Sequence, residues 1–213
     1  MNTEALIESL TQNVPPVRRN AVGWRLAVGL IGGGMVTIIV IALMLGLRSD
    51  LDLAMRGFNF WMKWTYTISL GTIAIWATAR LARPDGARPP SLWLVVLPLA
   101  ALAGFGAVEL ARTPSADWLA MWLGHSWRIC SLMVLLLSAP IFIGFLWSFR
   151  RLAPTRLRAA GGTAGLAAGA WAATLYCLHC PEVSAIFVLT WYTLGIVLAA
   201  GVGALLGPRV LRW

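Results

Sequence analysis

The sequence predicts an all-α integral membrane protein, a bundle of six transmembrane helices with both termini in the cytoplasm. Three observations carry that prediction. The chain is 59% hydrophobic and only 12% charged over 213 residues, with a mean hydropathy of +0.78, and a soluble domain has too little interior to hide so much apolar surface. Six runs approach the roughly 20 apolar residues that a helix needs to cross a bilayer. The arginines fall in short clusters between those runs, so the net charge of +9 is an orientation signal and offers no basic face for direct contact with nucleic acid.

The chain divides into an amino-terminal segment, 1–25, and a transmembrane domain, 26–213. In the segment, Leu6, Ile7 and Leu10 form an apolar stripe at helical spacing, Glu4 and Glu8 favour a helix start, and Pro15 and Pro16 break it before Arg18 and Arg19. A short amphipathic helix of this kind docks in a partner's groove or rests on membrane lipid. No cleavable signal peptide is expected, because the first apolar run is too long and starts too late.

Run one covers 26–47 without a charge. Run two, 58–79, carries only Lys63, read as an anchor that snorkels to the headgroups beside Trp61 and Trp64. Run three, 92–108, is bounded by Arg88 and Glu109, and Thr113 before Pro114 is expected to start a short surface helix bearing Trp118, Met121 and Trp122. Run four, 129–149, stops at Arg150 and Arg151; runs five and six cover 159–178 and 186–206. Backbone groups in lipid must pair internally, and the runs lack the alternating polarity of barrel strands, so helices are expected throughout. Gly161, Gly165, Gly169, Ala173 and Cys177 recur every fourth residue, and Gly195, Ala199, Gly203 and Gly207 repeat the device in run six. Such stripes let neighbouring backbones approach closely.

Orientation follows from the loops. Arg18, Arg19, Arg25, Arg80, Arg83, Arg88, Arg150, Arg151, Arg156, Arg158, Arg209 and Arg212 fall on one side; Arg48, Arg56, Arg112 and Arg128 fall on the other. The arginine-rich side, with both termini, is therefore expected in the cytoplasm. All three cysteines and both histidines then lie towards the opposite compartment, which in a bacterium is the oxidising periplasm.

Those residues are the candidate chemistry. Cys177 and Cys180 are spaced C-x-x-C before Pro181, with His179 between them and Glu182 just beyond; Cys130 and His125 stand at the outer end of run four. One reading is a membrane thiol oxidoreductase, although only Cys130 remains to supply the second pair that such an enzyme needs. Another is a copper or zinc site built from Cys130, Cys177, Cys180, His125 and His179. Cys177 fits a third reading, a small apolar side chain in the seam. Few ionisable residues reach mid-membrane, against a transporter or proton pump, and no intramembrane protease motif is present.

Taken in order, PPVRR, FWMKWTY, RRLAPTR, LHCPE, TWYTLG and the closing GPRVLRW, set among six spans after a short amino-terminal helix, resemble the NrsF-type family, the negative regulators of sigma F. The resemblance runs along nearly the whole chain. It implies a regulator and not an enzyme: a multi-pass anti-sigma factor of the bacterial inner membrane that holds an extracytoplasmic-function sigma factor inactive until stress reaches the envelope. It also implies that the family's pair of sensing thiols falls on Cys130 and Cys180, leaving Cys177 outside that pattern. With a sigma factor as partner, Leu6, Ile7 and Leu10 become the expected binding stripe.

Overall fold

The computed structural model describes residues 3–11, 20–83, 92–150 and 152–212, and every regular element among them is helical. The expectations placed on Pro15, Pro16, Arg18, Arg19, Arg88, Arg151 and the side chain of Leu10 lie outside the described residues.

Helix α1 (Thr3–Thr11) carries Glu4 in its first turn, where the helix dipole favours a negative charge. Leu6 and Ile7 are exposed on it. Helix α2 (Ala21–Val40) continues as a π turn, Ile41–Leu45, and Gly46 ends it at a φ of 76°. Then come α3 (Leu51–Arg56), α4 (Phe58–Leu81) and α5 (Val96–Arg112). Next are α6 (Trp118–Leu123), α7 (Trp127–Phe149) and α8 (Leu157–Tyr176). The short turn α9 (Ala185–Phe187) leads through a second π turn, Val188–Tyr192, into α10 (Thr193–Val210). Thr113 does not start the surface helix: its Oγ1 donates to the Glu109 carbonyl at 2.8 Å and closes α5, and the next turn begins at Ser115.

The six apolar runs correspond to α2, α4, α5, α7, α8 and α10, but they are not equal. Four stretches are long and apolar enough to cross a membrane: Ala21–Leu45, Trp93–Arg112, Ser115–Phe149 and Ala185–Val210. Helices α4 and α8 fall short on apolarity, so four of the six expected spans stand out by length and composition. Their position gives the reason. Helix α8 is the centre of the bundle, packing most extensively on α10 and then on α4 and α7, and its alanines and glycines are buried along most of its length. A helix enclosed by other helices meets little lipid and needs small residues more than greasy ones.

The glycine stripes do meet. A methyl group added at Gly161 would lie 2.8 Å from the Gly207 Cα, and one at Gly165 would lie 3.0 Å from the Ala200 Cα, so α8 and α10 touch through their backbones. Gly195 faces α7 instead, where a methyl would lie 2.8 Å from the Ser131 carbonyl. A second seam escaped the sequence reading. Gly29 and Gly33 of α2 lie against Gly144 and Ile141 of α7. There the Thr37 hydroxyl donates to the Leu137 carbonyl at 3.1 Å, in the turn that Pro140 disturbs.

Candidate functional site

Helix α8 ends at Tyr176 because Pro181 cannot continue it, and residues 177–184 form a compact connection to α9. The turn is held by its own backbone, the Cys180 amide donating to the Tyr176 carbonyl at 3.0 Å. Four neighbouring segments then fasten it. From the stretch after α2, the Arg48 amide donates to the Leu178 carbonyl at 3.2 Å, and His179 Nδ1 pairs with the Gly46 carbonyl at 2.8 Å. From α5, Glu109 Oε2 accepts from the Ala185 amide at 2.8 Å and the Ser184 hydroxyl at 3.1 Å. Towards α7, Glu182 Oε1 accepts from the amides of His125 and Ser126 at 2.7 and 3.1 Å. That carboxylate caps the start of α7, where a negative charge is favoured.

The fourth fastening is Lys63 of α4. It is 0% exposed, and its ammonium donates to the carbonyls of Cys180, at 3.3 Å, and Glu182. The anchor expected from the sequence is therefore corrected: the side chain turns into the bundle, because the 177–184 connection offers it carbonyl oxygens. The sequence signal was present, since an ionisable residue in an apolar run is by default a functional candidate.

Around this ammonium the connection, α7 and α8 bring the three thiols together; all are buried and none is in a disulfide. Cys130 and Cys180, both buried, lie close enough for each to act on the other's thiol. Cys177 donates to the Ala173 carbonyl at 3.2 Å. The Tyr192 ring stands 5.9 Å from the Lys63 Nζ, and its hydroxyl, buried without a well-formed hydrogen bond, lies beside Cys177 and Cys180. The neighbouring Cys130 thiol draws the Cys180 thiol below its ordinary range, with further help from the Lys63 charge, the Tyr192 hydroxyl and the Glu182 amide; burial opposes them.

The copper or zinc donor set does not assemble. Among the described residues no group of three or more His, Cys, Asp or Glu side chains is arranged to hold a metal ion. His125 points into solvent, its Nδ1 3.8 Å from Glu182 Oε1, and the polar end of His179 is taken by Gly46. Sequence reasoning missed Lys63, Tyr192 and Glu109 as members of this cluster.

Fold and site together define an all-helical protein with membrane-type helices and a buried thiol cluster at one end of its bundle. Residues 10–213 match the family described as NrsF, negative regulator of sigma F. The chain belongs to that family. It is 39% identical over its whole length, and the whole of the relative's, to a protein of Azospira oryzae described as a probable anti-sigma-F factor NrsF. It is 35% identical, again over both whole chains, to the anti-sigma-F factor NrsF of Caulobacter vibrioides. No solved structure matches the chain.

Proposed function

We propose that this protein is an anti-sigma factor of the bacterial inner membrane that crosses the bilayer six times and holds an extracytoplasmic-function sigma factor at its cytoplasmic face. Helix α1, which exposes Leu6 and Ile7 and carries Leu10 at the next position of the sequence stripe, is its grip. Release follows when Cys130 and Cys180 react on the periplasmic side. One observation carries this reading beyond family membership: Cys130 and Cys180, far apart in the chain, are buried as neighbouring free thiols inside the hub that joins α4, α5, α7 and α8. On oxidation the pair gives up two protons and, to an external oxidant, two electrons, and one sulfur–sulfur bond forms. A disulfide alters packing by a few kcal/mol, the scale on which a two-state bundle changes its population.

The test is made in cells carrying the full-length protein and its sigma factor. Replacing Cys130 and Cys180 by serine is expected to abolish induction of sigma-dependent genes by oxidants while leaving sigma capture intact. Leu6→Ala with Ile7→Ala is expected to lose the sigma factor in a pull-down. Normal induction in the double-serine strain would refute thiol sensing, and capture undiminished by the α1 changes would refute the grip.

A further inference from the structure

Helix α10 changes partners along its length. Near its start Gly195 lies against Ser131 and Val134 of α7, whereas further on Gly203 and Gly207 lie against Gly161 and Leu157 of α8. Helix α10 follows that glycine seam onto α8, and between its last turn and that of α7 there remains a cleft of about 400 Å³. Both helices start at the thiol hub, so the cleft sits at the opposite end of the bundle. Its volume is that of a small-molecule site, a class that spans roughly 300–1,000 Å³.

The lining combines an apolar track with two cations. Phe149, 0% exposed, closes the cleft from within, and Trp147 and Ile143 of α7 and Val210 of α10 are exposed along it. Ile143 stands one turn deeper than Trp147, so the track leads from the mouth towards the hydrocarbon. At the mouth are Arg150, just past the end of α7, and Arg212, just past the end of α10, both exposed. A helix end attracts one cation to its carbonyls. On α10 that place is already filled by Arg209, which donates to the Leu205 carbonyl at 3.4 Å. Among the described residues no carboxylate pairs with Arg150 or Arg212. Two guanidiniums lining one cleft repel each other unless an anion lies between them, and their donor forks match a phosphate.

We propose that this cleft binds an anionic phospholipid, with Arg150 and Arg212 on its phosphate and one acyl chain lying over Trp147 and Ile143. Basic pockets between membrane helices hold lipid headgroups in this way. A free phosphate ion would satisfy the arginines and leave the apolar track bare; a phospholipid covers both. The indole of Trp147 marks headgroup depth, which is where the lipid's phosphate lies. The site rests on the reading of these helices as membrane spans and is independent of thiol sensing.

The experiment uses the full-length protein in a neutral detergent. Bound lipid is counted by native mass spectrometry and melting is followed in parallel, with phosphatidylglycerol, phosphatidylcholine of the same chains, and inorganic phosphate as probes. The native protein is expected to retain phosphatidylglycerol in preference to phosphatidylcholine and to melt higher with it, and millimolar phosphate should not displace it. Arg150→Gln with Arg212→Gln should weaken phosphatidylglycerol binding by about tenfold or more and leave phosphatidylcholine unchanged. Arg209→Gln should keep the preference, because that guanidinium is held on its own helix. Equal retention of the two lipids by the native protein, or displacement by phosphate, overturns the proposal whether or not the variants fold. So does a double variant that keeps the preference, or an Arg209→Gln protein that loses it as fully, the mark of general surface charge. A double variant that keeps the lipid and loses the sigma factor in a pull-down would give the cleft to the protein partner instead. Failure of the membrane reading itself looks different: the protein would be recovered in solution without detergent.

Discussion

Glu182 and Gly124 meet at the start of α7, and each constrains the other. The carboxylate needs the two amides beside it, and Gly124, at a φ of 54°, leaves room for it; a methyl there would lie 2.6 Å from Glu182 Oε2. Glu182→Gln keeps the shape and loses the charge, so the expected loss of stability is about 1 kcal/mol, measured by thermal unfolding in detergent. Gly124→Ala adds left-handed strain to a clash and should cost more, about 2 kcal/mol or above. Cys180 adds a pH signature. Its pKa is lowered on folding, so its contribution to stability is complete above the ordinary thiol range and is lost as pH falls through about 6. Relative to Cys180→Ser, the native protein should therefore gain stability on going from pH 6 to pH 9, a trend readable in melting temperatures.

At the scale of elements the α8–α10 seam carries the packing. Neither helix can accept a side chain at the crossing, where backbone meets backbone at Gly161, Gly165 and Gly203. Gly165→Leu must separate the two helices and is expected to cost at least about 2 kcal/mol. Gly201, on the same α10, faces open space. Gly201→Ala should be neutral or stabilising by about 0.5–1 kcal/mol, since alanine holds a helix better than glycine. Melting of the two variants side by side separates glycine needed for approach from glycine merely tolerated.

For the molecule as a whole, membrane orientation decides whether the hub and α1 act in different compartments. From the arginine count, with six crossings, both termini are expected on the side of the arginine-rich loops. A reporter fused after Trp213 should therefore be active only if it is a cytoplasmic reporter. One inserted near Asp117, in the stretch between α5 and α6, should be active only if it is a periplasmic one. Opposite results would put the thiols in the reducing compartment and remove the reason for them to remain a switch.

The sequence by itself determined the helical class, the limits of the long helices and the small-residue stripes, because apolar run length and four-residue spacing are local properties of one segment. It also carried the family, since ordered short motifs survive without knowledge of their contacts. The tertiary structure decided what those features face. Hydropathy measures how apolar a segment is and says nothing of whether lipid or another helix covers it, so α8 read as one span among six although it is the core. For the same reason Lys63 read as a surface anchor: its partners lie more than a hundred residues away in the chain, on Cys180 and Glu182. Only the packed register of α4, α7 and α8 makes an ammonium, two carbonyls and three sulfurs into one site.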